Sequence, residues 1–187
     1  MVTVARRVMI LGGSASGKSW LAQHLGARGG LPVHHMDALS WKPGFVHRTR
    51  SELDRITRDI HAQPCWVLEG GHYETGHERA ARAHALIWLD LKLGTQMWRA
   101  AWRTWRYSGQ VRPGQGEGCV QWFRRDVRRV VGYVASSQRF HRERAEEIAA
   151  AAPPHLAVIR LTSGRQARRF LAACQAAPDG PGLLLPD

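Results

Sequence analysis

The stretch Val8-Met9-Ile10-Leu11-Gly12-Gly13-Ser14-Ala15-Ser16-Gly17-Lys18-Ser19 constrains this chain more than any other. An apolar run with the pattern of a buried strand turns into Gly12-x-x-x-x-Gly17-Lys18-Ser19, which satisfies every fixed position of the phosphate-binding P-loop. Nucleotide phosphates need several backbone N–H groups converging on them, and glycines let the chain wrap that closely. The apolar spacing Trp20-Leu21-x-x-x-Leu25 predicts a helix that starts near Gly17 and adds its N-terminal partial charge. In this pattern Gly12, Gly13, Ser14, Ala15, Ser16 and Gly17 cradle the phosphates, Lys18 supplies a point charge, and Ser19 is the magnesium-ligating hydroxyl. The expected ligands are ATP and Mg²⁺.

With 187 residues the chain has the length of one domain with a proper core. The expected boundaries are residues 1–177 for a single domain and 178–187 for a disordered tail. A formal charge of +12 has the magnitude of a nucleic-acid binder's, yet only Lys18, Lys42 and Lys92 are lysines. So lopsided an arginine share is what a G- and C-rich genome produces, although arginine also grips phosphate bidentately. Cys65, Cys119 and Cys174 are widely spaced and odd in number, which points to neither a disulfide framework nor a zinc site. No apolar run is long enough to span a bilayer, and the first strand pattern begins too early for a signal peptide. A reducing, cytoplasmic setting is the expectation.

Pro32-Val33-His34-His35-Met36 reads as a second strand that delivers Asp37 to its carboxyl end, where ligands of parallel α/β sheets sit. Asp37 is a candidate substrate or magnesium-shell contact; otherwise it caps the following turn. His34 and His35 read as ordinary strand residues, since no partners stand at metal-ligand spacing. Ser51 is expected to open a helix with Leu53, Ile56 and Ile60 on one face. Cys65-Trp66-Val67-Leu68 then runs into Glu69-Gly70-Gly71, an acid at the end of an apolar strand. Glu69 is placed to orient metal-bound water or take a proton from an attacking hydroxyl; otherwise it caps the next helix.

Ala85 to Leu89 predicts a further buried strand, followed by a helix over about 95–107. On that helix Trp98, Trp102 and Trp105 form one stripe, expected to be core, and Arg99, Arg103 and Arg106 the adjacent one. Residues 108–119 hold four glycines and a proline, with arginines on both sides. A closing lid over about 106–122 is expected, carrying Arg106 and Arg112 towards the phosphates. Helical tracts follow over 122–131 and 142–152, then a strand at 157–161 and a last helix capped by Ser163. Strands without polar alternation, interleaved with helices, imply a parallel sheet covered on both faces.

Three further pieces, in order, carry a resemblance: His35-Met36-Asp37-x-Leu39-x-Trp41-Lys42-Pro43-Gly44-Phe45, Trp66-Val67-Leu68-Glu69-Gly70-x-x-Tyr73, and Arg112-Pro113-x-x-Gly116-Glu117-Gly118-Cys119. With the P-loop they resemble the bacterial FlaR-like proteins, often labelled DNA topology modulation proteins, over about Val8 to Phe170. The resemblance implies a five-stranded parallel P-loop kinase fold related to adenylate kinase, with a lid. It also implies nucleotide phosphates on Gly12 to Ser19, acidic positions at Asp37 and Glu69, and lid arginines at Arg106 and Arg112. One departure stands out: strand three ends Glu69-Gly70-Gly71 where such proteins usually have aspartate-glycine-asparagine.

Two functional classes follow. In the favoured one, Mg-ATP donates its γ-phosphoryl group to a small acceptor, with Lys18, Glu69, Asp37, Arg106 and Arg112 as catalytic residues and Ser19 and Glu69 at the metal. Nucleoside monophosphates are the first expected acceptors and a neutral hydroxyl compound the second. In the other, the basic surface binds nucleic acid and the chain is a nucleic-acid-associated ATPase or regulator; no recognition module stands out for it.

Overall fold

Alternation along the central strand decides the architecture. Strand β1 (Arg7–Gly12) turns Val8 and Ile10 to one side and Met9 and Leu11 to the other, and all four are fully buried. A strand apolar on both sides has to be covered twice. The computed structural model describes residues 4–43, 46–111, 120 and 122–186. It places β1 between β3 (Trp66–Glu69) and β4 (Ala85–Leu89), with β2 (Val33–His35) and β5 (Ala157–Leu161) at the edges. All pairings are parallel, in the order β2-β3-β1-β4-β5.

The helices are α1 (Lys18–Gly29), α2 (Met36–Ser40), α3 (Arg50–His61), α4 (Gly76–Arg82), α5 (Leu93–Arg106), α6 (Phe123–Ala150) and α7 (Gly164–Ala173). Val8 and Ile10 pack with Leu21 and Leu25 of α1 and Phe170 of α7. Met9 and Leu11 pack with Leu53 and Ile60 of α3, Ala80 of α4, and Ala145 and Ile148 of α6. The five-stranded parallel sheet with helices on both faces is therefore the fold that the alternation demanded.

Four local expectations change. Helix α3 is capped by Thr49 rather than Ser51: Thr49 Oγ1 accepts from Glu52 N at 3.3 Å, and Glu52 reaches back to Thr49 N at 2.7 Å. This reciprocal box satisfies two end N–H groups, which outweighs a single acid three residues past Ser51. The two tracts after the glycine-rich segment are one helix of 28 residues, since Gly132 in its middle costs less than its packing returns. The tryptophan stripe is not core: Trp98, Trp102 and Trp105 are 66%, 49% and 59% exposed, while α5 buries Gln96, Ala100 and Thr104. The end of the chain is not frayed throughout either. Leu183–Leu184 pairs antiparallel with Val4–Ala5 and with Gln175–Ala176, and Leu183 is fully buried against the α1 side of the core.

Candidate functional site

The site is built at the carboxyl ends of β1, β2 and β3. Gly12 ends β1 at φ +143°, and a Cβ there would lie 2.5 Å from the Leu89 carbonyl oxygen of β4. Gly17 caps α1 at φ +104°, a left-handed conformation that side chains resist. Between them Ala15 sits at φ +59°, the one non-glycine residue with positive φ among the described residues. The loop closes on the Gly13 carbonyl, which accepts from Ser16 N at 3.3 Å and from Lys18 Nζ at 2.9 Å. This strained, glycine-bounded turn leads directly into a 12-residue helix with no side-chain cap, whose leading N–H groups suit an anion.

The register of the sheet assembles the acidic part. Glu69 pairs with Ile10 of β1 on one side and His35 of β2 on the other. Glu69 Oε1 accepts from Ser19 Oγ and from His35 Nδ1, both at 2.8 Å, and the residue is only 3% exposed. Burial by itself would raise its carboxyl. The His35 hydrogen bond, the Lys18 charge and the Ser19 hydrogen bond outweigh burial and hold it below the ordinary glutamate range. Glu69 is thus an ionised, buried carboxylate tied to the first turn of the P-loop helix.

The turn after Glu69 is braced from beneath. Arg79 of α4 is fully buried and donates to the Gly70 carbonyl at 2.9 Å and the His72 carbonyl at 3.3 Å. Burial pushes its guanidinium down to about 10, against the pull of Tyr73 and Glu69. His72 is held in turn by Asp54 at 2.6 Å and Glu74 at 3.3 Å.

Of the residues expected at the site, Lys18, Ser19 and Glu69 come together as one group. Asp37 is the second residue of α2, which follows directly on the strand that carries His35, and is exposed. Its charge and that of Lys18 both act on His141 of α6. Arg106 is exposed at the last residue of α5, its guanidinium 5.9 Å from the Tyr107 ring centre. The arginine of α5 that touches the P-loop is Arg99, two turns earlier, whose Nη1 donates to the Ser16 carbonyl at 3.0 Å. Arg112 and most of the segment taken for a lid lie outside the described residues, as do Gly44 and Phe45.

Sequence reasoning passed over His35, Arg99, Tyr73 and His141 as site residues. For His35 a signal existed: a polar residue ending a strand next to one that ends in a buried acid. Arg99 lay in a three-arginine stripe that looked uniform, and nothing local marked His141, 123 residues from Lys18.

Among the described residues no group of three or more histidines, cysteines, aspartates and glutamates is arranged to hold a metal. The Ser19 hydroxyl and Glu69 carboxylate are hard oxygen donors that suit Mg²⁺, an ion that takes few protein ligands and completes its shell with phosphate oxygens and water. Bound there, Mg²⁺ would neutralise charge on the β- and γ-phosphates. No helix among the described residues is long and apolar enough to cross a membrane.

No protein-family model and no curated protein matches the sequence. Solved structures match over nearly the whole chain. The shikimate kinase from Acinetobacter baumannii in complex with shikimate aligns at a TM-score of 0.56 with 14% identity, covering 88% of each chain. The shikimate kinase from Aquifex aeolicus aligns at 0.52 with 14% identity, over 89% of this chain and 91% of that one. The one from Bacteroides thetaiotaomicron also aligns at 0.52 with 14% identity, over 90% and 95%. The chain therefore has the P-loop kinase fold that these enzymes share.

Proposed function

We propose that this protein is a phosphotransferase that moves the γ-phosphoryl group of Mg-ATP to a hydroxyl of a small acceptor. One observation carries the reading: at the mouth of a P-loop on a kinase fold, the Ser19 hydroxyl is bonded to the buried, ionised Glu69, and the charge of Lys18, itself bonded to the Gly13 carbonyl, acts on that carboxylate. Gly12 to Ser19 would hold the phosphates, with Lys18 on the β/γ oxygens and Arg99 bracing the loop. Mg²⁺ would sit at Ser19 and Glu69. In the transfer, the acceptor oxygen bonds to the γ-phosphorus as the bond to the β,γ-bridging oxygen breaks. ADP leaves with that electron pair.

Glu69 and Asp37 take different parts. Glu69 already accepts two hydrogen bonds on one oxygen and is held ionised, so its carboxylate serves the metal and the loop. Asp37 is exposed at the end of the neighbouring strand and is the better placed carboxylate to receive the hydroxyl proton. Arg106 and Arg112 remain candidates for charge brought in when acceptor and nucleotide are both bound. Placement of reactants and fixed charge would do most of the work.

A second reading has one specific observation behind it. The exposed Trp98, Trp102 and Trp105 share α5 with Arg103 and Arg106, a composition suited to stacking and backbone contacts with single-stranded nucleic acid. An ATP-consumption screen with nucleosides, nucleotides, sugars and DNA separates the two. The kinase reading expects ADP formation that depends on a small acceptor. Stimulation by DNA alone, falling steeply with salt, would replace it with the ATPase reading.

A further inference from the structure

Where a side chain at position 71 would stand, this chain has the ring of Tyr73: a Cβ on Gly71 would lie 2.7 Å from Tyr73 Cε2 and 2.9 Å from Cζ. Seated there, the phenol reaches His141 of α6, with 3.0 Å between its oxygen and Nδ1. Phe140 meets the Tyr73 ring edge-on at 5.6 Å and limits its rotation. His141 in turn is within the electrostatic reach of both Lys18 and Asp37. A residue of α6 is thereby tied to the turn after Glu69, in a place where the charges of the P-loop lysine and the α2 carboxylate both act on it.

We propose that His141, held by Tyr73, recognises the phosphoryl acceptor and selects an uncharged hydroxyl compound over one that carries its own phosphate; this rests on the kinase reading above. With the Tyr73 hydroxyl donating to Nδ1, the imidazole proton sits on Nε2, so the ring offers one neutral N–H donor. Asp37 offers an acceptor. A hydroxyl group needs one of each, since its oxygen accepts while its proton is donated.

A phosphate monoester makes the opposite demand, for cations around a near-dianion. Asp37 repels it. Before an acceptor arrives His141 offers no cation to meet it, because burial, with the Lys18 charge added, pushes the imidazole down to about 4 against the pull of Asp37. Tyr73 stays protonated, since burial raises its phenol far above the usual value, so it keeps the proton that this arrangement requires it to donate. Tyr73 is a positioning residue here, acting through His141.

The test compares matched acceptors with the wild-type protein and saturating Mg-ATP: adenosine, thymidine and ribose against AMP, dTMP and ribose 5-phosphate. Turnover is expected with a member of the uncharged set, and adding a phosphate to that member should lower its kcat/KM at least tenfold. Tyr73→Phe keeps the ring over Gly71 and removes only the hydroxyl. It should raise the acceptor KM about three- to tenfold with the Mg-ATP Kd unchanged. His141→Ala should raise it further, and His141→Gln, which restores an N–H donor, should recover part of the loss.

His141→Arg should shift preference towards the phosphate-bearing partner. Faster turnover of AMP, dTMP or ribose 5-phosphate, turnover of neither set while Mg-ATP binds, or variants that move KM and Mg-ATP Kd together would each overturn the assignment and leave the kinase reading standing. Absence of Mg-ATP binding in calorimetry would instead remove the reading beneath it.

Discussion

At the residue scale, the site rests on a division of labour between a cation and an anion that touch the same loop. Lys18 Nζ donates to the Gly13 carbonyl, so the lysine lies folded over its own loop; in the proposed function it exchanges that oxygen for those of phosphate. Lys18→Ala should weaken Mg-ATP binding by at least tenfold in calorimetric titration while leaving the melting temperature within a few degrees, because the side chain serves no part of either core. Wild-type affinity in that variant would refute the phosphate assignment. Glu69→Gln tests the other half. It preserves shape but removes the charge that Ser19 and His35 bond to, so ATP binding should persist and acceptor-dependent turnover should fall about 100-fold or more. Near-normal turnover would reduce Glu69 to a cap. The acid at the strand end was legible in sequence because an apolar run closed on it. His35 and His141 were not, since their meaning comes from a register and a crossing that no local window contains.

At the element scale, α5 shows where periodicity stops being informative. Two of its faces compete, and the apolar one, with three indoles, loses. The winning face is Gln96, Ala100 and Thr104 because α5 lies close against its neighbours and small or hydrogen-bonded side chains are what fit there. Gln96 Nε2 donates to the Leu91 carbonyl at 2.7 Å, and Thr104 Oγ1 to the Ala100 carbonyl at 2.8 Å. A 3.6-residue period says that a helix has faces; side-chain volume does not say which one is covered. The consequence is measurable in urea unfolding. Trp102→Ser on the exposed stripe should change stability by about 0.5 kcal/mol or less, whereas Trp66→Ala in fully buried β3 should cost about 3–5 kcal/mol. A large loss at Trp102 would mean that this face is packed in solution. The strands were the easiest elements to read, because β1, β3 and β4 are buried on both sides and admit only apolar runs. The α3 cap and the closing Leu183–Leu184 pair were harder, since each depends on a partner supplied by the fold.

At the scale of the whole molecule, the two cores carry polar groups whose ionisation sets a pH limit. His61, the last residue of α3, is 2% exposed, its ring 5.9 Å from that of Trp66 in β3, and neither ring nitrogen has a hydrogen-bond partner among the described residues. Burial, reinforced by the Arg79 charge, pushes it down to about 4. Its ordinary value near 6.5 returns on unfolding, so between about pH 6.5 and pH 4 the unfolded chain binds the extra proton. Stability is therefore complete above that window and falls as the pH drops through it, by about 3 kcal/mol for this residue at the lower end. His61→Leu should flatten the fall in urea unfolding measured at pH 7, 5.5 and 4; an unchanged slope would contradict the assignment. Whether the fold and its P-loop serve group transfer to a small molecule is decided by phosphorus NMR of ATP incubated with the protein and an acceptor that accelerates ADP formation. A new phosphomonoester resonance that grows in step with ADP is expected, and inorganic phosphate in its place would refute phosphoryl transfer.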